Sequence, residues 1–328
     1  MLLQGKRILF FSAKAFDIPD NITACMRQMG AVVDYYDERP ANTFIVKALI
    51  RINRNLIAEY INKYHLQIIN KTKENKYDYI FFIKGESISR RNLELLRSLH
   101  PQAKFIIYHW DSIANNKNAL NLLPLFDQAY SFDQPDCEKL GMSFLPLFYI
   151  PEYEQVANTS SYVYDLMFVG TTHSDRYQFV KAIASQILNY GGKCFVYFFF
   201  QSKILFYKMK LQNKAMRHVS IHEVHFDSIK KEQLLKLYHQ SRIIVDAQHP
   251  KQTGLTMRCI ETLGAKRKLI TTNQEIKKYD FYRPENILVV NRQHPIIPRE
   301  FFESPYVNIS DEIYRKYSLN SWIETIFK

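Results

Sequence analysis

Short apolar runs alternate with segments of helical period along the first half of the chain. The apolar runs predict strands at 7–12, 32–36, 77–84, 104–109, 129–132 and 143–148. Apolar residues at helical spacing predict helices at 20–29, 43–71, 90–99 and 134–140. Strands that alternate with helices are typical of a parallel sheet covered by helices on both faces.

A polar segment at 151–162 interrupts this alternation and predicts a domain linker. Beyond it, strands are predicted at 165–169, 193–199, 219–224, 243–247, 268–272 and 286–290, and helices at 176–189, 231–239, 255–263 and 319–327. We therefore expect an α/β protein with two doubly wound parallel-sheet domains, 1–152 and 153–328, the second closed by the last helix. Ligands are expected in a cleft between them, outside the carboxyl ends of the strands.

Composition narrows the class of protein without choosing a partner. Hydrophobic residues make up 47% of 328 residues, which is enough for a large core, and the net charge of +12 favours anionic partners such as nucleic acid, anionic lipid or phosphorylated ligands. The four cysteines are far apart in sequence, so neither a zinc site nor a disulfide framework is expected. The chain carries neither the pattern of a signal peptide nor an apolar run near the roughly 20 residues of a membrane span. We expect a cytoplasmic protein.

The segment from Gln248 to Glu261 reads Gln-His-Pro-Lys-Gln-Thr-Gly-Leu-Thr-Met-Arg-Cys-Ile-Glu and follows a strand that ends in Asp246. Together with 268–273 it resembles the donor-binding segment of GT-B glycosyltransferases, in particular bacterial lipopolysaccharide and capsule enzymes and spore-maturation-type transferases. Three earlier segments, 108–112, 126–133 and 145–149, resemble the first domain of the same proteins.

This resemblance implies two Rossmann-like domains, of which the first binds the acceptor and the second the nucleotide sugar. It implies transfer from a nucleotide-diphosphate sugar, as co-substrate without a further cofactor, to a saccharide or lipid-linked acceptor in bacterial surface polysaccharide synthesis. Many retaining members carry two glutamates eight positions apart in the donor segment. Glu261 matches the second and Thr253 occupies the first position, so the anomeric outcome stays open.

The turn before the helix predicted at 255–263 offers a site for the leaving diphosphate. Free N–H groups and the dipole at a helix start attract phosphate, and Gly254 permits close approach of the backbone. Lys251 and Arg258 have the charge to stabilise the diphosphate. The remaining candidates in this turn are Thr253, Leu255 and Thr256. The alternative is a loop with solvated charges.

Glu261 lies one helical turn beyond Arg258. The resemblance implies that its carboxylate accepts hydrogen bonds from both ribose hydroxyls. The alternative is a surface glutamate paired with a lysine or arginine at helical spacing.

A second strand-to-helix turn follows the strand at 165–169. By resemblance it approaches the donor phosphates and sugar, which makes Gly170, Thr171, His173 and Arg176 candidates. Gly170 would allow a tight turn, and Ser174 or Asp175 would cap the helix.

Acceptor chemistry is expected from strand ends of the first domain. Asp111 could act as general base on an acceptor hydroxyl, or it could cap the helix after Ser112. Lys84 and Glu86 flank a glycine at the end of another strand and are similar candidates. No Asp-x-Asp occurs, which favours a metal-independent mechanism in which positive charge and helix N-termini stabilise the diphosphate.

Two predicted helices combine apolar and basic residues. In 43–57, one face carries Ile45, Ala48, Leu49, Ile52 and Leu56, and the opposite face carries Lys47, Arg51 and Arg54. A helix at 204–217 mixes aromatic residues with lysines. Such helices either lie on an anionic membrane surface or pack against the core with a solvated basic face.

Three other functions share some of these sequence features. A dehydrogenase is excluded because neither candidate strand-to-helix turn carries a G-x-G-x-x-G fingerprint. A sugar-nucleotide epimerase or hydrolase would bind the same donor without an acceptor and stays open. A non-enzymatic nucleic-acid binder also stays open as an alternative, although no zinc finger, ribonucleoprotein motif or run of five basic residues occurs, so no nucleic-acid partner is expected.

Overall fold

The computed structural model describes residues 2–14, 17–157, 161–171, 175–213, 216–248 and 253–328, with all their side chains except those of Arg51 and Lys117. The chain forms two compact units. The first comprises Met1–Leu147 and Leu319–Lys328, and the second comprises Phe148–Ser318.

The first unit contains a six-stranded parallel sheet in the order β2-β1-β3-β4-β5-β6. Its strands are β1 (Arg7–Ser12), β2 (Val32–Asp37), β3 (Tyr79–Ile83), β4 (Lys104–His109), β5 (Gln128–Ser131) and β6 (Ser143–Phe144). Its first six helices are α1 (Ile18–Gln28), α2 (Phe44–Asn53), α3 (Ala58–Thr72), α4 (Arg90–Leu99), α5 (Lys117–Leu122) and α6 (Gln134–Leu140). Apolar side chains of β1, β3 and β4 pack on α3 and α4 to form one core layer.

The second unit contains another six-stranded parallel sheet, in the order β12-β11-β10-β7-β8-β9. Its strands are β7 (Tyr164–Thr171), β8 (Cys194–Phe199), β9 (Val224–His225), β10 (Ser241–Asp246), β11 (Lys268–Thr271) and β12 (Ile287–Val289). Its helices are α7 (Pro151–Val156), α8 (Arg176–Asn189), α9 (Lys203–Gln212), α10 (Lys231–Gln240), α11 (Met257–Gly264), α12 (Arg299–Glu303) and α13 (Asp311–Lys316).

The last helix, α14 (Leu319–Phe327), belongs to the first unit and not, as predicted from the sequence, to the second domain. Trp322 packs edge-on against Tyr108 of β4 at a centroid distance of 4.7 Å, and Phe327 packs against Phe81 of β3 at 5.5 Å. The thiol of Cys25 in α1 donates a hydrogen bond to Asn320. This helix therefore covers the sheet face whose strands lie almost 200 residues or more earlier in the chain.

The boundary between the units also differs from the predicted linker. The chain passes from the first unit to the second between Leu147 and Phe148, and Pro151–Val156 forms α7 of the second unit. The proline at the first helical position has the backbone angle that a helix start requires. Residues 158–160 of the predicted linker lie outside the described residues.

The segment predicted as one helix at 43–71 consists of α2, a 3₁₀ turn at Arg54–Ile57, and α3. Three residues of its apolar face are largely exposed: Ile45 (69%), Ile52 (82%) and Leu56 (69%). These three apolar side chains therefore do not pack against the core, which was one of the two alternatives for this helix. Within the described part of the chain, no helix has the length and apolar character required to cross a bilayer.

Each sheet reverses its strand order at one point, and ligands of such folds bind next to that point. In the first unit the chain continues from β1 to β2 on one side and to β3 on the other. In the second unit β7 has β8 on one side and β10 on the other. Loops that follow neighbouring strands diverge at such a switch point and leave a crevice outside the carboxyl ends.

Stability in mild acid is expected to depend on a histidine at the end of β4. His109 is 1% exposed, and burial lowers its pKa to about 4. The folded state therefore binds fewer protons than the unfolded state between the ordinary histidine pKa of 6.5 and about 4, so stability is lost as the pH falls through that window. At pH 4.5 the loss from this residue amounts to roughly 2–3 kcal/mol.

The measurement is the difference in unfolding free energy between pH 7 and pH 4.5 for wild type and His109→Gln. The variant should lose less stability than wild type. His239→Gln, in which an exposed histidine of α10 is replaced, is the control. Glu38 acts in the opposite direction, because burial raises its pKa to about 8 and its contribution is lost as the pH rises. An equal pH dependence in His109→Gln and wild type would show that His109 is not the cause.

Candidate functional site

A buried carboxylate at the end of β10 fixes the start of α11. Asp246 is 2% exposed and accepts hydrogen bonds from the hydroxyls of Thr256 (2.9 Å) and Thr271 (3.1 Å) and from the thiol of Cys259 (3.5 Å). Thr256 occupies the N-cap position of α11, but its hydroxyl bonds to Asp246 and not to the helix backbone. The beginning of this helix is thereby tied to the carboxyl ends of β10 and β11.

The rest of the predicted donor turn is held from the side of β11. The Asn273 amide donates to the carbonyls of Thr253 (3.1 Å) and Gly254 (3.5 Å). Leu255 is 2% exposed and anchors the turn in the core, so its side chain is not a ligand. The first N–H groups of an α-helix have no partner within the helix, although in α11 that of Cys259 donates to the carbonyl of Thr256. Lys251 lies outside the described residues.

Arg258 lies at the switch point of the second sheet. Its guanidinium donates to the carbonyl of Val169 in β7 and, at 3.5 Å, to that of Val245 in β10. It also stacks over the ring of Phe168, with the guanidinium carbon 5.4 Å from the ring centroid. One side chain of α11 therefore bridges the two neighbouring strands where the sheet reverses order.

Arg176, the first residue of α8, lies at the same end of the sheet. It donates to the backbone carbonyl and the hydroxyl of Thr171 at 3.0 and 3.1 Å. Burial, followed by the positive charges of Arg258 and Arg292, lowers the pKa of Arg176 to about 10. Its Nε is buried and has no hydrogen-bond partner among the described residues. His173 lies outside those residues.

Gly170 is part of strand β7 and does not form the tight turn that the sequence analysis predicted. A Cβ at this position would lie 2.9 Å from the ring of Phe168. A larger residue at this position would therefore force the ring of Phe168 to move.

Arg292 was not identified from the sequence, and it completes a group of three arginines. Its guanidinium pairs with both carboxylate oxygens of Asp175 at 2.8 Å and donates to the carbonyl of Gln248 at 2.9 Å. Asp175 makes no side-chain cap bond to α8, which corrects the prediction that it caps this helix. Ser174, the other predicted cap, lies outside the described residues.

Glu261 lies in α11 and contacts two tyrosines, so the surface ion pair considered as its alternative is not what the structure has. It accepts a hydrogen bond from the hydroxyl of Tyr238 in α10 at 3.3 Å, and Tyr153 in α7 lies near enough to interact with it electrostatically. The two tyrosine rings meet edge to face at 5.0 Å. Burial raises the pKa of Glu261.

The first unit contains a cleft of about 740 Å³, and the three predicted acceptor-side residues all line it. Lys84 and Glu86 follow β3, and Asp111 follows β4. The cleft is also lined by Ile50 and Ile52 of α2 and, at the start of the 3₁₀ turn, by Arg54. The volume is in the range of small-molecule sites.

Charged side chains form a series of ion pairs at this cleft. The Lys84 ammonium lies 2.7 Å from Glu86 and 3.5 Å from Asp111, and Arg39 pairs with the other oxygen of Glu86. These two cations lower the pKa of Glu86 against the effect of its burial. Asp111 is 38% exposed and accepts from the amide of Asn115 at 2.9 Å. Ser112 caps the following 3₁₀ turn, so Asp111 does not serve as its cap.

The backbone at Lys84 and Gly85 adopts positive φ angles, a conformation that residues other than glycine rarely adopt. Lys84 has a φ of 84° and Gly85 a φ of 62°. Asn116 donates to the carbonyl of Lys84 at 2.6 Å, and Asn118 donates to that of Gly85 at 3.0 Å. A non-glycine residue with positive φ costs about 1–3 kcal/mol and is found preferentially at functional sites.

Several residues of both sites are not among the candidates predicted from the sequence. They are Glu38, Arg39, Arg54, Asn116, Asn118, Tyr153, Tyr238, Asp246, Asn273 and Arg292. A signal existed for Glu38, Arg39 and Arg292, since each closely follows a predicted strand at its carboxyl end. No group of three or more histidine, cysteine, aspartate or glutamate residues suited to a metal ion occurs in the described residues.

The chain is similar to known proteins in its three-dimensional structure, but comparisons of its sequence find no match. No family model and no curated protein matches the chain. A glycosyltransferase from Rickettsia africae superposes with a TM-score of 0.58 and 13% sequence identity, covering 98% of this chain and 96% of its own. The Anabaena protein HepE, in complex with UDP and glucose, has a TM-score of 0.60, 10% identity and 98% coverage of both chains.

A UDP-GlcNAc 2-epimerase from Methanocaldococcus jannaschii has a TM-score of 0.54 and 8% identity, covering 98% of this chain and 99% of its own. Such identities show a shared fold and leave the activity open. With two six-stranded parallel sheets, each covered by helices, and this likeness over nearly its whole length, the chain has the GT-B fold of glycosyltransferases.

Proposed function

We propose that the protein is a glycosyltransferase that moves a sugar from a nucleotide diphosphate, bound by the second unit, to a hydroxyl of an acceptor bound by the first. The observation that carries this proposal is the group formed by Arg176, Arg258 and Arg292 where β7 and β10 meet. The GT-B structures named above, one of them with UDP and glucose bound, support the choice of donor.

The electrostatics of this group favour a dianionic ligand. Burial and then repulsion from Arg258 and Arg292 lower the pKa of Arg176, so a diphosphate bound beside the three arginines would reduce that repulsion. Charge-assisted hydrogen bonds from guanidinium groups to phosphate are among the stronger ones in proteins. The start of α11, held by Asp246 and Asn273, would supply N–H groups for the same ligand. Glu261 would accept the ribose hydroxyls.

In the first unit, the geometry favours Asp111 as the general base. Glu86 is buried and paired with two cations, so its lone pairs are engaged and its proton affinity is low. Asp111 is partly exposed and lines the cleft, so its carboxylate would be accessible to an acceptor there. Asn115 and Lys84 would orient its carboxylate, and Glu86 with Arg39 would hold Lys84. Transfer then needs no metal ion, because the arginines stabilise the leaving diphosphate.

Replacement of Glu261 by glutamine is expected to weaken UDP binding by about 10- to 100-fold, since hydrogen bonds to a charged group contribute roughly 1.5–3 kcal/mol. The measurement is calorimetric titration of UDP, with other nucleoside diphosphates in parallel, in buffer that contains EDTA. Glu312→Gln, at an exposed position of α13, is the control. Unchanged affinity in Glu261→Gln would remove this residue from the site, and binding that requires added magnesium would contradict the metal-independent proposal.

A sugar-nucleotide epimerase is the second candidate, because the archaeal 2-epimerase shares the fold. It would act on the donor alone and would not need a base in the first unit. Incubation with sugar-labelled donor separates the two functions. Label that moves to a saccharide supports the transferase, and a free altered sugar supports the epimerase.

We further propose that the acceptor belongs to bacterial surface polysaccharide synthesis and that the protein contacts an anionic membrane at the cytoplasmic face. Supporting this, α2 exposes Phe44 (80%), Ile45 and Ile52, and residues 40–58 contain three basic and no acidic residues. The protein should co-sediment with vesicles that contain anionic lipid, and Ile45→Asp/Ile52→Asp should abolish this. Equal binding by this double variant would overturn the proposal.

A further inference from the structure

Helix α9 of the second unit is apolar on its solvent-facing side as well as on its core-facing side. Towards the core, Phe206 is fully buried and packs edge-on against Phe200 at a centroid distance of 5.4 Å. Leu205 and Met209 pack against the same core. One apolar face is enough to hold a surface helix on its domain. The apolar residues on the outer side of α9 are therefore not explained by its packing.

Three large apolar residues recur on this outer side. Ile204 is 84% exposed, Tyr207 54% and Leu211 80%. Because residues three and four positions apart lie on one side of a helix, the three form a continuous row about two turns long. Exposed apolar residues that stand singly are ordinary on a protein surface, whereas a contiguous group is typical of a binding face.

Lysines accompany this row, and no carboxylate lies near it in the sequence. Lys203, at the start of the helix, and Lys208, within the row, are both exposed, and neither forms an ion pair with a described residue. Residues 176–222 contain eight lysine and arginine residues and no aspartate or glutamate. The next acid along the chain, Glu223, is paired with Lys181. The segment that contains α9 therefore has a large excess of positive charge.

This combination matches the surface of an anionic lipid bilayer. Aliphatic side chains enter the boundary of the acyl chains, and tyrosine prefers the level of the headgroups. Lysines reach the anionic headgroups while their methylene stems cover apolar surface. A nucleic acid would bind the lysines but would leave Ile204 and Leu211 in water. A second copy of the chain would cover the apolar row but would bring the lysines of both copies together.

We propose that α9 is a membrane-binding helix, whose outer face lies in the headgroup region of an anionic bilayer. The contact belongs to the second unit and depends on residues other than those of the contact proposed for α2. It does not depend on the proposed transferase activity, since no residue of the outer face belongs to the candidate donor site.

The apolar part of the proposal is tested by titration of the full chain with phosphatidylcholine vesicles that contain phosphatidylglycerol. Ile204→Asp/Leu211→Asp should raise the lipid concentration for half-maximal binding about tenfold or more, because two aliphatic side chains no longer leave water on binding. Leu188→Asp/Ile296→Asp replaces two other exposed aliphatic residues of the second unit and is the matched control. It should bind like wild type.

The electrostatic part is tested with the lysines. Lys203→Gln/Lys208→Gln should weaken binding to the same vesicles about tenfold or more, since each basic residue at an anionic surface contributes roughly fivefold. Lys236→Gln/Lys277→Gln, at two exposed positions of the second unit outside α9, is the matched control. Vesicles without phosphatidylglycerol should bind wild type more weakly.

A tryptophan in the row shows whether α9 itself touches the lipid. The two tryptophans of the wild type, Trp110 and Trp322, both belong to the first unit. Lipids brominated on their acyl chains quench tryptophan that lies beside them. They should therefore quench the fluorescence of Tyr207→Trp more strongly than that of wild type.

The proposal is overturned if Ile204→Asp/Leu211→Asp binds vesicles as wild type does, if vesicles bind without additional quenching in Tyr207→Trp, or if phosphatidylglycerol makes no difference. The first two outcomes would leave the contact proposed for α2 intact. A wild-type dimer that becomes a monomer in Ile204→Asp/Leu211→Asp, as measured by light scattering, would assign the face to a second copy instead. UDP titration of the same variants reports separately on the proposed donor site and should match wild type.

Discussion

Replacement of Asp111 by asparagine is expected to lower kcat by about 10²- to 10⁴-fold, the range typical for loss of a general base. Asparagine keeps the size of the side chain and its hydrogen bond with Asn115, but it does not accept the proton of the acceptor hydroxyl. UDP affinity should stay the same, because the proposed donor site lies in the second unit. The measurement combines steady-state transfer kinetics with UDP titration.

Two further variants locate the effect. Glu86→Gln should lower kcat less than Asp111→Asn, because Glu86 positions Lys84 and does not touch the acceptor. Glu74→Gln replaces an acid of the same unit whose side chain is 88% exposed, and it should behave like wild type. Transfer by Asp111→Asn within threefold of wild type would exclude Asp111 as the base.

Replacement of Arg258 by alanine is expected to lower kcat by about 10²- to 10³-fold and to raise KM by less. Negative charge on the leaving diphosphate peaks in the transition state, so a cation that stabilises it acts more on turnover than on ground-state binding. In the described structure Arg258 already lies between the carbonyls of Val169 and Val245, where the sheet reverses order. Transfer kinetics with varied donor measure both constants.

Because Arg258 also joins two strands, its removal affects stability as well. Arg258→Lys keeps the charge and should retain more turnover than alanine, which separates charge from packing. Arg283→Ala is the matched surface control. Unfolding curves must show that each variant is folded at the assay temperature. An effect confined to KM would assign Arg258 to ground-state binding of the donor.

The fold class and many element positions were predictable because they follow from local periodicity. The strand at Arg7–Ser12 and the helix at Arg90–Leu99 begin and end as predicted. Apolar runs and helical spacing involve only a few neighbouring residues, so they can be recognised without knowledge of the fold. Short helices such as α7 and α12 were missed, since five or six residues show too little of a period.

Part of the candidate site was also predictable, by the rule that polar residues after neighbouring parallel strands meet at one edge. Lys84 and Asp111 follow different strands, and the structure places them 3.5 Å apart. This rule does not predict which side chains form hydrogen bonds with other protein groups and so cannot bind a ligand. The hydroxyl of Thr256 bonds to Asp246, a contact between residues ten positions apart that no periodicity encodes. The roles of these residues in catalysis and binding stay predictions.

The sequence by itself determined that two parallel sheets follow one another in this chain and where most of their strands lie, because spacing of apolar residues is a local property. Only the tertiary structure decided that α14 covers the first sheet and that Arg292 joins Arg176 and Arg258. These are contacts between distant segments. Packing and burial in the folded protein determine these contacts. The order of the residues along the chain does not indicate which residues come into contact.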